Sequence, residues 1–496
     1  MVDARAVSIS RREKADWHDW VVPIVIALLG FAAVYAVSKP GFMSPDSVDQ
    51  LEQTRALEFA DDHPPLMAML WWVTDLVLPG PLGMLIFMNG LYWGGLLVTF
   101  RYWPLERRSR WLAFGFVAFF PPLFVNLGVI WKDILMQGAL VSLLGVYFRY
   151  RITRGRLLIA LALLFSAIAI GARHNAAAAV WPLLALLLGA HPWLEGLALR
   201  RRVFGALGVS LVLVFALQQG LTRGLKPFVH EAHFWQKAAL YDLAGMSLYE
   251  NKILIKKDKA ILRRGATLED IRAVYNPYHT LSLFSCRKRG CVPLLTPTED
   301  PKKLAGIARR WTQAVIEHPR SYWRTRRKVY RRLLGMDGQP YVAFAQIVRN
   351  PWGYQLEPSR LRDVVIEGLD ALAPTYIYRA WVYMLASLLS IAAVIRSRSY
   401  AHGALPLALA ASGLLYHLTF FLLAQSDDYR YSIWTILTTV LTLFALPSAL
   451  PHHWLRGNKA FARLRPGGRE RADDMNEHER PEAGLSEPQP NRMGAR

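Results

Sequence analysis

The sequence predicts an all-α, multi-pass membrane protein with about ten transmembrane helices, interfacial helices in the first outer loop and one mainly helical external domain. Three observations predict it. Hydrophobic residues make up 53% of the 496, and they gather in blocks of roughly 15 to 20, the length needed to cross a hydrocarbon core of about 30 Å. The basic excess, a formal charge of +22, flanks those blocks or crowds one long polar segment, which suits anionic headgroups and argues against nucleic acid as a partner. The run from Val21 to Ser38 is long for a signal-peptide core and no small-residue cleavage site follows it, so it reads as an uncleaved first span.

In chain order, apolar runs occupy 21–38, 81–100, 111–130, 134–148, 157–172, 176–190, 203–219, 374–395, 404–424 and 432–450. A further run, Pro64 to Pro79, is short, opens on two prolines and contains Asp75, so it is expected to lie along the interface. The positive-inside rule supports that choice. With 64–79 not spanning, the N-terminal tail, the arginine-rich connections 101–110, 149–156, 191–202 and 396–403, and the stretch after Leu450 all fall on one side, the cytoplasm. A spanning 64–79 would split them between the two sides.

This parity gives a cytoplasmic tail (1–20), an N-terminal membrane module (21–219) with the first outer loop at 39–80, an external domain (220–373), C-terminal membrane helices (374–450), and a basic then disordered cytoplasmic tail (451–496). The expected location is a bacterial inner (plasma) membrane with the site on the external face. The only two cysteines, Cys286 and Cys291, lie in the external domain, where an oxidising space would join them in a small disulfide loop.

Polar clusters fall at the outer ends of the apolar runs. The first outer loop carries Asp46, Asp49, Glu52, Asp61 and Asp62, then His63-Pro64-Pro65-Leu66. A carboxylate partly shielded from water there can have its pKa raised enough to act as a general base; helix capping and a solvated acidic face are the plainer reading. His63 opens a helix whose free N–H groups favour an anion; a plain cap with an interfacial histidine is the alternative. Trp131-Lys132-Asp133 offers a phosphate contact and a second acid, or else an interfacial anchor and a snorkelling lysine. Arg173-His174-Asn175 must break the apolar stretch 157–190, which as one helix would be about 50 Å long, and polar groups there need water or partners. In Gln425 to Tyr431, Arg430 either locks the turn through Asp427 or Asp428 or binds a phosphate bidentately, with tyrosines lining a cleft. Trp311 to Leu334 interleaves arginines with Trp, Tyr and Leu, as suits a helix lying on anionic lipid headgroups.

An early Asp in the first outer loop, a downstream His-Pro-Pro-Leu and an acid in the second outer loop resemble the GT-C glycosyltransferases. The likeness is to the bacterial branch of lipid A aminoarabinose transferases and protein O-mannosyltransferase-like enzymes. In many of those the proline pair follows a lysine, where this chain has His63. The Trp-Lys-Asp and Arg-His-Asn turns, Tyr241-Asp242-Leu243, His318-Pro319 with Tyr322, and Asp428-Tyr429-Arg430-Tyr431 look like an uncharacterised subgroup of the same class.

The resemblance implies a polyprenyl-phosphate sugar donor, a lipid, glycan or protein acceptor outside the membrane, and inversion at the anomeric carbon. Carried over, Asp46 is the base and Asp133 assists. His63 and Lys132 hold the departing phosphate, with Arg173, His174, Tyr429 and Arg430 as further substrate-binding positions. A divalent cation is the one cofactor considered, at Asp46 with Asp49 or Asp133. Other classes compatible with the sequence are a lipid-linked sugar flippase or exporter, a polysaccharide polymerase or ligase, and a non-enzymatic assembly protein. Internal repeats typical of many transporters are absent from the sequence.

Overall fold

The computed structural model describes residues 18–255, 261–286, 292–338, 340–398 and 400–450. The N-terminal tail up to residue 17, the tail after 450 and Cys291 lie outside them. The fold is nearly all helix, as a chain that buries its backbone polar groups in lipid requires. Among the described residues, six helices are long and apolar enough to cross a membrane: Asp19–Ser38, Pro81–Arg101, Leu199–Phe228, Ala380–Ser397, His402–Leu423 and Tyr429–Ala449.

Other apolar helices are shorter. Leu66–Val77 has 12 residues, or about 18 Å at 1.5 Å per residue, well under the thickness of a bilayer core. Arg156–Ala172 ends where Arg173 becomes extended, a 3₁₀ turn occupies His174–Ala176, and Ala177–Gly189 follows, so the apolar stretch does break at the polar cluster. The expected run 111–130 is not one helix. Arg107–Phe119 stops ahead of Pro121-Pro122, a single turn Pro121–Phe124 follows, and the chain reaches Ile130 without further helix. The physical reason is the proline pair, which removes two donors and forces Phe120 to be extended.

The centre of the bundle is Lys132–Thr153, buried on nearly every side. It packs on Pro81–Arg101 through small residues that let the backbones approach. A Cβ added at Gly95 would sit 2.7 Å from Ser142 N.

Two features mark the segment 220–373, expected as a folded external domain. Its start falls inside a helix, because Leu199–Leu225 runs through residue 219. It is also clamped to the segment 39–80. Phe59–Ala60 pairs in parallel with Val229–His230, and Met43 bridges Ile347. Arg362 Nε donates to Val37 O at 2.9 Å, at the end of the first span.

A buried ion pair ties the segment together. Arg326 Nη2 donates to Asp242 Oδ2 at 2.6 Å, Trp311 Nε1 donates to the same oxygen at 3.0 Å, and Arg326 Nη1 donates to Ala424 O at 2.8 Å. The last bond fixes the helix Pro319–Leu333 to the turn that carries Arg430. Cys286 is disulfide-bonded, and Cys291 is the one other cysteine in the sequence.

Candidate active site

The segment 39–80 begins with a capped helix, Pro45–Ala56. Ser44 and Ser47 form a reciprocal capping box, and Pro45 fills the first turn, where its missing N–H costs nothing. This places Asp46 at the positive end of the helix, with Asp49 one turn on. Ser47 Oγ donates to Ile130 O at 2.8 Å, and Trp131 Nε1 donates to Ser44 Oγ at 2.8 Å. The helix Pro45–Ala56 and the turn at Trp131 are thereby joined at the start of Lys132–Thr153.

Four distant clusters meet here. Arg430 Nη2 donates to Asp46 Oδ2 at 2.8 Å, its Nε lies 3.0 Å from Asp428 Oδ2, and Asp133 Oδ2 is 3.7 Å away. Arg173 Nη1 donates to the other oxygen of Asp133. Lys132 Nζ meets His63 Nδ1 at 2.6 Å. His63 Nε2 faces Asp46 Oδ1 at 4.0 Å and Asp49 Oδ2 at 3.9 Å. Three cations, Lys132, Arg173 and Arg430, thus interleave with Asp46, Asp133 and Asp428. Such burial of charge is tolerated because each group has an opposite neighbour.

Aromatic faces complete the cluster. Arg430 lies over Trp131, 4.6 Å from the ring centroid. Arg173 lies 4.6 Å from Tyr431 and 5.3 Å from Phe420. Planar guanidiniums held against rings leave their N–H edges free to point at oxygens.

The protonation states separate the acids of the loop. A raised carboxylate in this loop was one expectation, beside helix capping and a solvated acidic face. Burial does push Asp46 up, but the charges of Arg430 and Lys132, with the hydrogen bond from Arg430, outweigh burial and hold its carboxyl below the usual carboxylate range. The raised acid is Asp49, pushed to about 6 by burial and then by the negative charge of Asp62.

His63 was expected to help hold the departing phosphate. Burial, and then the charge of Lys132, lower it to about 4, so it is neutral at neutral pH. An ammonium at Nδ1 makes that nitrogen the acceptor, and the ring proton sits on Nε2, toward Asp46 and Asp49.

Two other expected residues stand apart. Tyr429 is buried, with its hydroxyl donating to Pro122 O at 3.1 Å, and it faces the core because the 3₁₀ turn Tyr429–Ser432 directs Tyr431 to the cluster instead. His174 is exposed beside Arg173. Gln53 was not expected. One turn beyond Asp49 on the same helix face, it donates from Nε2 to Asp49 Oδ2 at 2.9 Å and to Asp62 Oδ1 at 3.2 Å. Its Oε1 accepts from Ala60 N at 3.0 Å, which fixes the amide orientation. The i, i+4 spacing of Asp49 and Gln53 was the available signal.

A divalent cation held by Asp46 and Asp49 does not fit these residues, because an Asp46 oxygen faces Arg430. Asp49, Asp62 and His63 bring ligand atoms within 4.8 Å of one another. Gln53 Nε2 already sits between the two carboxylates, however, so no chemical step is assigned to a metal.

No protein-family model, no curated protein and no solved structure matches the chain.

Proposed function

We propose that this chain is a multi-pass glycosyltransferase of the bacterial inner membrane. On this reading about ten helices cross the bilayer, both termini are cytoplasmic, and a sugar passes from a polyprenyl-phosphate carrier to an acceptor on the outer face. The observation that carries the reading is the meeting of Asp46, Lys132, Asp133, Arg173 and Arg430 from four remote segments.

The reaction needs fixed cations for a leaving phosphate and a carboxylate for the acceptor hydroxyl and the oxocarbenium-like centre. Arg430 supplies both halves of a switch. In the resting cluster it pairs with Asp46, and a donor phosphate competes for the same guanidinium. Once Arg430 turns to the phosphate, burial dominates at Asp46 and its carboxyl rises toward a useful base.

Asp46 then accepts the proton of the acceptor hydroxyl. The acceptor oxygen bonds to the anomeric carbon from the face opposite the phosphate, which gives inversion. The bond from that carbon to the phosphate oxygen breaks, and its electron pair leaves on polyprenyl phosphate. Lys132 and Arg173 share the growing charge, and Asp133 keeps Arg173 oriented.

The test is to incubate purified protein with a panel of radiolabelled polyprenyl-phosphate sugars and membrane extract. Label in an acceptor, matched one for one by released polyprenyl phosphate, is expected. Movement of intact donor between leaflets with no release would support a flippase instead, and acceptance of diphosphate-linked oligomers alone would support a polymerase or ligase.

A further inference from the structure

The helix Pro319–Leu333 (PRSYWRTRRKVYRRL) has two faces with different tasks. Ser321, Thr325, Val329 and Leu333 are buried at spacings of four residues, with Arg326 beside Thr325 on the same face. Arg326 is held by Asp242 and Ala424, and on the flank Arg332 Nε lies 3.0 Å from Asp427 Oδ2. The helix therefore cannot roll. Its opposite face must present Arg320, Trp323, Arg324 and Arg327 outward, and with Pro319 they line one shallow depression.

The depression lies at the membrane boundary. Trp323 is 55% exposed, yet its ring packs 4.7 Å from Phe421, near the outer end of the span His402–Leu423. A half-exposed tryptophan beside the end of a span is the usual headgroup-level anchor. Arg320, Arg324 and Arg327 occupy positions i, i+4 and i+7 around it. The nearby acids are engaged elsewhere: Asp242 with Arg326, Glu250 with His318, and Glu317 with Arg310. Arg324 and Lys328 rest over the Tyr249 ring, which orients them without neutralising them. A positive, concave, Trp-bearing face at the level of lipid phosphates has the complementary charge and depth for anionic headgroups.

From this placement we infer that Arg320, Arg324 and Arg327, with Trp323, form a docking surface for the headgroups of anionic phospholipids in the outer leaflet. The inference rests on the chain spanning a membrane and not on the transferase reading. Its test therefore measures lipid binding rather than turnover.

Detergent-purified full-length chain would be titrated with phosphatidylglycerol or phosphatidylcholine, and bound lipid counted by native mass spectrometry. Wild type is expected to retain phosphatidylglycerol preferentially. The variant R320Q/R324Q/R327Q should bind it at least about tenfold more weakly, since each basic residue near a charged surface contributes about 1 kcal/mol.

A charge-matched control, K302Q/K303Q/R309Q, removes three positive charges from the neighbouring helix Pro301–Glu317 and should bind as wild type does. Equal loss in both variants would reduce the effect to net charge and overturn the inference. So would unchanged binding in the arginine variant, or displacement of the lipid by millimolar inorganic phosphate, which would mark a site for soluble anions. W323A, which leaves all the charges, should weaken retention by a smaller factor. If the arginine variant does not fold, W323A and the phosphate competition still decide.

Discussion

Arg430 Nη2 lies 2.8 Å from Asp46 Oδ2, a contact between residues 384 positions apart. It joins the helix Pro45–Ala56 to the turn 425–431. The same guanidinium also reaches Asp428 at 3.0 Å and Asp133 at 3.7 Å, so one planar group organises three carboxylates.

That geometry makes Arg430 intolerant of lysine. An ammonium is a point charge and cannot span Asp46 and Asp428 while stacking on Trp131. R430K is expected to lower kcat/KM for the donor by about 10²-fold, the scale for losing one preorganised stabilising group. Steady-state transfer kinetics check it, and wild-type kinetics in R430K would remove the bidentate role.

Asp49 should destabilise the fold at neutral pH. Its folded pKa of about 6 exceeds the ordinary value of 3.8, so the folded state prefers the protonated acid. The penalty is therefore absent below the ordinary value, grows as pH rises through the window to about 6, and is complete above it. The side chain is 44% exposed, so after allowing for solvent screening the penalty is about 1 kcal/mol. D49N, which keeps an acceptor for Gln53, should raise the unfolding midpoint at pH 7.5 and leave it unchanged at pH 4. Thermal unfolding at the two pH values reads this directly. A fall in the midpoint at pH 7.5 would contradict it.

Lys132 and His63 should separate kinetically. On the proposed reading Lys132 carries charge for the phosphate, whereas His63 is neutral and accepts from Lys132. K132Q is expected to raise the donor KM about tenfold or more, one charge-assisted hydrogen bond being worth roughly 1.5–3 kcal/mol. H63Q, which can still accept, should change KM much less. Equal losses would mean that His63 works as a cation.

Asp242 and Arg326 are an architectural pair. Both are fully buried, and removing one partner strands the other's charge. D242N is expected to cost about 3–5 kcal/mol of stability, the usual range for breaking a buried pair. Unfolding of detergent-purified variants checks it, and a loss under 1 kcal/mol would mean that water reaches the pair.

Much of the membrane character was legible because apolar block length reports directly on bilayer thickness. The break at Arg173 was legible for the same reason: the apolar stretch 157–190 is too long for one span. The break at Pro121-Pro122 was also written in the sequence, but the surrounding apolar residues 111–130 concealed it. The four polar clusters announced themselves as charges at helix ends. Their pairing did not, because Asp46–Arg430 and Asp133–Arg173 depend on how helices pack. The same limit explains Asp46 and Asp49. A sequence shows two acids in one loop, but which one meets a guanidinium and which meets another acid is set in three dimensions. Tyr429 and Tyr431 flank Arg430 symmetrically in the chain, and only the 3₁₀ turn decides which of them faces the cluster.

The most direct test is the transfer assay repeated with D46N, R430Q and the double variant, each confirmed as folded by its unfolding midpoint. Wild type should move labelled sugar from polyprenyl phosphate to an acceptor. Both single variants should lose most of that transfer, and the double variant should be no worse than the poorer single, because the two residues act as one unit. Wild-type transfer by D46N, or losses that multiply independently, would contradict a shared site for base and phosphate.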